Sequence, residues 1–504
     1  MRFSELDGKV VGVWGAGREI SSFARQLANR LPRARIAVVA ADARADGSVD
    51  AGVSALAESV GARVVVGAAE AVEALRACDA VVRSPGVSIH RPELFALRAG
   101  GTPVTTATSL WLAERGGRGV IGVTGTKGKS TTAALIAHLA RAAGVATDLA
   151  GNIGVPALDL LDAPPAELAV IELSSYQIAD LATGTEVAIV TNLYREHVDW
   201  HGSEEAYQAD KLRLLTLPGV RVAVVGDTGA SEAAGEAARI AGDARAATVA
   251  RGAGVELAPF GGPGGWHVTG DGVARGEARA AAGAASAGGG EVAIPTAALP
   301  LRGAHNARNL CTALTALEAA GIALPPLPAA LDGFRALPHR LEPVAERDGL
   351  LFVDDSISTT PESAIAALDS YADRAVVLLA GGQDRSQDYA PLGRALAARG
   401  AAVVGLPSTG ERVVAAARAA GVPAARAVAA GGMEEAVALA RDLATALAAS
   451  SPASDAARGT PSASDAAREA PAVILLSPAA PSYDHYRDFI ARGERFRAAV
   501  EAAG

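Results

Sequence analysis

The chain has 504 residues, half of them hydrophobic and a fifth charged, which provides for more than one packed domain and excludes a disordered or collagen-like chain. Its formal charge of −9, from 46 basic and 55 acidic residues, argues against a general nucleic-acid binder, which needs a basic face. Two cysteines, Cys78 and Cys311, are too few for a disulfide framework or a cysteine-based zinc site. Mean hydropathy is +0.23, yet charged residues interrupt every apolar run before the roughly 18 residues that a membrane span needs. Residues 1–9 lack the apolar core of a signal peptide. These features predict a cytoplasmic protein, a monomer, with neither membrane nor nucleic acid as partner.

In chain order, Val10–Trp14, Ile36–Val39, Arg63–Val66 and Ala80–Arg83 read as strands, with helical patterns at 19–31, 51–60 and 70–77 between them. The alternation recurs with strands at Val120–Val123, Leu168–Leu173, Val187–Thr191 and Val222–Val225. It returns at Leu350–Val353, Ala375–Leu379, Ala401–Leu406 and Ala472–Leu476. Such alternation predicts parallel sheets with helices on both faces, and three blocks predict three α/β domains. The expected bounds are 1–115, 116–336 and 337–504, set by the glycine turn at 115–119 and the Leu337-Pro338-His339-Arg340 segment. Residues 251–291 are Gly-rich and read as irregular β structure or a loop. Residues 451–470 repeat Ala-Ser-Asp-Ala-Ala-Arg at 453–458 and 463–468, which predicts a disordered, solvated insertion without chemistry.

The sharpest local signal begins at Val120. An apolar strand leads into Thr124-Gly125-Thr126-Lys127-Gly128-Lys129-Ser130-Thr131 and then into a helical run over 133–143. Glycines allow successive N–H groups to turn toward phosphate oxygens, and the helix N-terminus adds partial positive charge. In this arrangement Lys129 reaches the β- and γ-phosphates of ATP, and Ser130 offers its hydroxyl to Mg²⁺. The spacing departs from a strict P-loop, because Val123 stands where the first glycine belongs.

The wording Gly-Thr-Lys-Gly-Lys-Ser resembles the Mur ligase family, which includes folylpolyglutamate synthetases. Further segments carry the resemblance: Gly151-Asn152-Ile153-Gly154, Glu172-Leu173-Ser174-Ser175-Tyr176-Gln177, Asn192 through His197 to Asp199, Tyr207 to Lys211, and His305-Asn306-Ala307-Arg308-Asn309. The resemblance implies a Rossmann-like first domain, a central P-loop ATPase domain and a Rossmann-like third domain. It further implies that Asn152, Asn306 and Asn309 approach ATP. Glu172, His197 and Ser130 are implied to hold Mg²⁺, with Lys211 as a carbamoylated ligand. Taken singly, Glu172 reads as a capping carboxylate, His197 as a loop histidine and Lys211 as a solvated lysine; their order behind the phosphate loop favours the family reading.

The two ends of the chain resemble the glutamate-adding branch, which acts on UDP-N-acetylmuramoyl-L-alanine. Gly17 and Arg18, Asp42 and Arg44, and Ser84 and Gly86 fall on its UDP-substrate positions. The first glycine turn lacks the third glycine of a dinucleotide fingerprint, since position 20 is Ile. Arg340 falls on a phosphate contact and Asp355 on an ATP-ribose contact, both brought onto ATP by closure of the third domain. Thr359, Arg385, Ser482 and Phe489 fall on the glutamate pocket, where Arg385 suits a carboxylate as a bidentate donor. Where enzymes specific for D-glutamate usually have Asp-Ser-Lys, this chain has Asp355-Ser356-Ile357. Loss of that cation beside the incoming amino acid favours L-glutamate, with D-glutamate as the alternative. A folylpolyglutamate-type ligase leaves Asp42, Ser84 and Gly86 unexplained, and a non-enzymatic P-loop switch leaves Lys211, Arg340 and 476–496 unexplained.

Overall fold

A computed structural model of the protein describes residues 1–43, 48–194, 198–227, 237–262, 264–276, 292–301, 303–335, 337–449 and 472–503. The repeat at 451–470 lies outside the described residues. The contacts of the chain group into two compact units, Met1–Pro300 with Asn306–Phe334, and Leu301–His305 with Arg335–Gly504.

The first unit carries two parallel sheets. One is built from β1 (Val10–Trp14), β2 (Arg35–Ala41), β3 (Arg63–Val66), β4 (Ala80–Arg83) and β5 (Val104–Thr105), in the order β3-β2-β1-β4-β5. The chain moves outward from β1 in one direction and then returns to its other side, which opens a crevice at the C-terminal end of β1. The second sheet contains β6 (Val120–Thr124), β7 (Thr147–Gly151), β8 (Leu168–Glu172), β9 (Val187–Val190), β10 (Val222–Gly226) and β11 (Glu256–Phe260), in the order β11-β10-β9-β6-β8-β7. Its central strands β6, β8 and β9 are buried at every position, as parallel strands covered on both faces must be. The Gly-rich stretch holds β11, β12 (Trp266–Val268) and β13 (Gly272–Arg275), and β12 and β13 form a small antiparallel sheet with β14 (Val292–Pro295) just beyond it. One hydrophobic core runs through both parallel sheets, joining Ile20, Phe23, Leu110 and Trp111 to Val120, Ile171 and Leu214.

The second unit has one sheet, β15 (Glu342–Arg347), β16 (Leu350–Asp354), β17 (Val376–Ala380), β18 (Ala402–Gly405), β19 (Ala427–Ala429) and β20 (Ala472–Leu476), in the order β15-β16-β20-β17-β18-β19. Only the β15–β16 pair is antiparallel. In β20, Val473 and Leu475 enter one core while Ile474 and Leu476 enter the other, the period-two signature of a strand packed on both sides.

Two local differences from the sequence reading have physical causes. The helix after the glycine loop spans Lys129–Ala142, starting four residues ahead of Ala133, because the Gly128 turn opens directly into it. The sequence pattern gives no strand for β5, β7, β14, β15 or β19. β15 is an edge strand whose sequence Glu-Pro-Val-Ala-Glu-Arg carries charge at both ends, so it shows no apolar run. Among the described residues no helix is long and apolar enough to cross a membrane.

Candidate active site

The Gly125–Gly128 turn joins β6 to the helix Lys129–Ala142. Gly125 has φ 141°, and an added Cβ would lie 2.0 Å from Thr191 Oγ1. Gly128 has φ 80°, and an added Cβ would lie 2.3 Å from Asn309 Oδ1. Both glycines are therefore required by conformation and by close approach. The segment after β9 clamps the turn from behind: Thr191 Oγ1 donates to Lys127 O at 2.6 Å, Asn192 Nδ2 donates to Lys127 O at 3.0 Å, and Lys127 N donates to Asn192 Oδ1 at 2.8 Å. Thr126 N donates to Asn192 O at 2.9 Å, and Tyr207 Oη donates to Thr126 Oγ1 at 3.0 Å. With its outward carbonyls held this way, the turn is shaped to bind an anion at the helix N-terminus. Lys129 Nζ rests on Thr126 O at 2.9 Å, Ser130 is half-buried and Thr131 is buried. Asn306 and Asn309, on the helix Ala304–Ala319, are buried, and Asn309 Nδ2 donates to Asn306 Oδ1 at 3.2 Å.

Glu172 closes β8 and is 1% exposed. Asn152 Nδ2 donates to its Oε1 at 2.8 Å, while its Oε2 is buried without a hydrogen-bond partner among the described residues. A buried carboxylate oxygen left open in this way is costly unless a cation completes it, and its hard oxygen suits Mg²⁺. Asn152, which the resemblance implies approaches ATP, thus uses one amide N–H to fix Glu172. The following turn is capped by Ser174 and Gln177. Ser175 Oγ lies 3.0 Å from His201 Nε2, and His201 Nδ1 lies 2.7 Å from Asp210 Oδ2. Lys211 follows on the helix Glu204–Leu212, buried, with Nζ 4.7 Å from the centre of the Tyr207 ring. His197 lies outside the described residues. Sequence reasoning passed over His201 and Asp210; the available signal was a second histidine four positions after the first, ahead of an Asp-Lys pair.

At the C-terminal end of β1 and β2 a cavity of about 880 Å³ is lined by Trp14, Gly17, Arg18, Arg25, Asp42 and Asp159, among others. It brings together the expected Gly17, Arg18 and Asp42; Arg44 lies outside the described residues. Ser84 and Gly86 do not line it. The Ser84 hydroxyl donates to Ala16 O at 3.1 Å, Gly86 O accepts from Trp200 Nε1 at 3.2 Å, and Val87 is the residue of that turn facing the cavity. Arg91 escaped the sequence reading. It lies 5.0 Å over the Trp14 ring and pairs with Asp42 through both terminal nitrogens, at 2.5 and 2.8 Å. These contacts keep the guanidinium charged.

In the second unit, the expected ribose contact Asp355 is buried and fully engaged. Leu341 N donates to Oδ1 at 3.1 Å, and the hydroxyls of Ser477 and Ser358 donate to Oδ2. Burial pushes its carboxyl up to about 6 despite those hydrogen bonds. Here Asp355 braces the segment around Arg340, whose neighbours His339 (φ 62°) and Leu341 (φ 44°) both adopt left-handed backbone. Arg492, which lies in the 476–496 segment but has no role in the sequence reading, is 1% exposed and donates to Ser356 O at 2.8 Å and Ala480 O at 3.0 Å. It thereby joins the loop after β16 to the loop after β20. Ser482 is buried, Thr359 and Phe489 are half-buried, and the Arg385 side chain is exposed. Phe489 packs edge-on against His339.

The chain matches the family model of the Mur ligase middle domain over residues 123–317 and that of the Mur ligase, glutamate ligase domain over residues 339–449. It is 40% identical to a UDP-N-acetylmuramoyl-L-alanine–L-glutamate ligase of Micromonospora sp., over 99% of this chain and 98% of that protein. A protein of the same name from Salinispora tropica is 40% identical over 99% of each, and one from Xanthomonas euvesicatoria is 38% identical over 98% of this chain and 96% of its own. Among solved structures, folylpolyglutamate synthase of Mycobacterium tuberculosis complexed with ADP matches with a TM-score of 0.54 at 18% identity, covering 78% of this chain and 92% of that one. UDP-N-acetylmuramate–alanine ligase of Thermotoga maritima matches with a TM-score of 0.53 at 16% identity, over 98% and 100%. At such identities the structural likeness speaks for the fold alone.

Proposed function

The chain belongs to the Mur ligase family, and from that premise we propose that it joins L-glutamate to UDP-N-acetylmuramoyl-L-alanine at the expense of ATP, in peptidoglycan precursor synthesis. The observation that carries the reading is Glu172, a buried carboxylate with one oxygen open, at the end of β8 in the sheet whose β6 leads into an anion-binding turn. Identity of 38–40% along nearly the whole chain to proteins named for this reaction supports the substrate pair, as does Ile357 in place of a lysine.

In the proposed reaction the substrate carboxylate attacks the γ-phosphorus of ATP, forming an acyl phosphate and releasing ADP. The amine of glutamate then attacks the acyl carbon, and the tetrahedral oxyanion collapses with loss of phosphate. The chain's part is positioning and neutralisation of charge. Backbone N–H groups at the start of the helix Lys129–Ala142 hold phosphate oxygens, and Lys129 exchanges its contact with Thr126 O for the β- and γ-phosphates. Asn306 and Asn309 back the nucleotide. Glu172 and Ser130, with His197 and a carbamoylated Lys211, are the residues we assign to Mg²⁺, which when bound polarises the phosphoryl oxygens. The 880 Å³ cavity with Gly17, Arg18 and Asp42 is assigned to the UDP moiety. Arg385, Thr359, Ser482 and Phe489 of the second unit are assigned to glutamate. In this reading the chain works as three functional segments, 1–115, 116–336 and 337–504.

The test is to incubate the purified chain with ATP, Mg²⁺ and UDP-N-acetylmuramoyl-L-alanine plus either glutamate enantiomer, and to identify products by mass. Product from L-glutamate with matching ADP release is expected. Product from D-glutamate alone would reverse the enantiomer, and glutamylation of a folate instead would replace the substrate class.

A further inference from the structure

We propose that Arg83 is a positioning residue for this reaction: its guanidinium fixes the 84–88 turn and seats it on the 176–180 segment that follows Glu172. Where the UDP-bearing substrate lies is thereby set relative to the metal-facing carboxylate. The inference rests on the ligase reading above.

Arg83 ends β4 and its side chain is 0% exposed, opposite Asp180 at 8%. A cation so deeply buried persists only where its N–H groups are matched. Nε and Nη2 grip Asp180 at 3.2 and 2.8 Å. Nη1 points at three carbonyls of one turn, those of Ser84 (3.1 Å), Pro85 (3.0 Å) and Val87 (2.5 Å), and Nη2 also reaches Tyr176 O at 3.2 Å. An ion pair serving stability alone has no need to gather three carbonyls of a single turn. Curling 84–87 around a guanidinium sets the direction of Val87, which faces the cavity, and of Ser84, whose hydroxyl holds Ala16 O in the glycine turn after β1.

The same pair of segments is clasped a second time. Trp200 stacks on Tyr176 with ring centres 4.5 Å apart and 25° between planes. Its Nε1 donates to Gly86 O at 3.2 Å, and its carbonyl accepts from Ser88 Oγ at 3.2 Å. The cavity-side turn and the segment after Glu172 thus share one rigid junction. Only a planar fork with five N–H donors serves both sides of it, which an ammonium cannot do.

The experiment uses the full chain and the variants Arg83→Lys, Asp180→Asn, their double, and Arg83→Met/Asp180→Leu, which removes the buried pair together and leaves only the part-exposed Arg98 without its 3.4 Å contact to Asp180. Calorimetry with UDP and steady-state kinetics are the readouts. In Arg83→Lys, the UDP Kd and the KM for UDP-N-acetylmuramoyl-L-alanine should each rise about tenfold and kcat should fall about tenfold, with KM for ATP and glutamate within about twofold. The double variant should be no worse than the poorer single one, because both break one junction. Arg83→Met/Asp180→Leu should show the same selective loss with its thermal midpoint kept. Unchanged UDP affinity in folded variants, or a parallel rise of every KM, would overturn the proposal. If the wild-type chain binds UDP yet makes no product, the ligase reading falls and the UDP affinities still decide the role of Arg83. Failure of the wild-type chain to bind UDP overturns both.

Discussion

At the scale of single residues, the proposed chemistry rests on side chains that burial constrains. Glu172 keeps one oxygen satisfied by Asn152 and one open. Replacing it with Gln preserves volume but turns a cation-seeking face into one that mixes a donor with a neutral acceptor. Glu172→Gln should lower product formation at least about 100-fold, and it should abolish the Mg²⁺ dependence of nucleotide affinity while the chain stays folded; titration of an ATP analogue at varied Mg²⁺ reads this. Lys211 is buried beside Tyr207, and a carbamate there would present oxygens in place of an ammonium. Lys211→Ala should be inactive and regain turnover with added formate or acetate, whereas no rescue would count against the carbamate. Asp355 acts on stability. Its carboxyl is raised to about 6 by burial, above the unfolded value near 4. The folded state therefore binds the proton more tightly, and stability is present at low pH and lost as pH rises from about 4 through 6. The thermal midpoint of the second unit should decline over that window, and Asp355→Asn should flatten the decline.

At the scale of elements, the glycine turn proposed to bind phosphate depends on a partner strand end as much as on its own glycines. Thr191→Val removes the 2.6 Å bond to Lys127 O while keeping the shape of the side chain. ATP affinity should fall about tenfold, the cost of one well-buried hydrogen bond, with UDP affinity unchanged; the two calorimetric titrations separate these outcomes. The elements most legible from sequence were those under the strongest constraint. β1, β6 and β20 are continuous apolar runs because both faces are covered, and their bounds could be read almost to the residue. β15 and β7 lie at sheet edges, where one side of the strand has no such demand, and their composition gives no period. The same logic divides the candidate site. Gly125, Gly128, Lys129 and Glu172 belong to local patterns of strand, turn and helix. Arg83, Arg91, His201 and Arg492 take their meaning from partners brought near only by folding; Arg83 and Asp180 are 97 positions apart. No spacing rule within a segment reaches that far.

At the scale of the whole molecule, each compact unit carries its own cores. The first two parallel sheets share one, to which Leu110 and Trp111 belong together with Val120 and Leu214, and buried polar links such as Arg83 with Asp180 reinforce it. The sheet of the second unit is covered by two separate clusters that belong to it. Cooperative unfolding follows shared burial, so calorimetry should resolve two transitions rather than three. A fragment 1–115 would expose the apolar faces of Leu110 and Trp111 and should be insoluble or poorly folded. A third independent transition, or a well-dispersed spectrum from 1–115 alone, would contradict this.

That shared core also sets where this chain can be recombined with its relatives. A chimera crossing over near 115 would pair one parent's Ile20, Phe23 and Trp111 with another parent's Val120, Ile171 and Leu214, so that nucleotide-sugar preference could not be exchanged without also exchanging the packing behind the ATP turn. A crossover between Phe334 and Arg335 follows the boundary of the two units instead. On the proposed assignment of glutamate to the second unit and UDP to the first, amino-acid preference is the trait most easily transplanted as a module, and preference for the nucleotide-linked substrate the one most tightly tied to the rest of the chain.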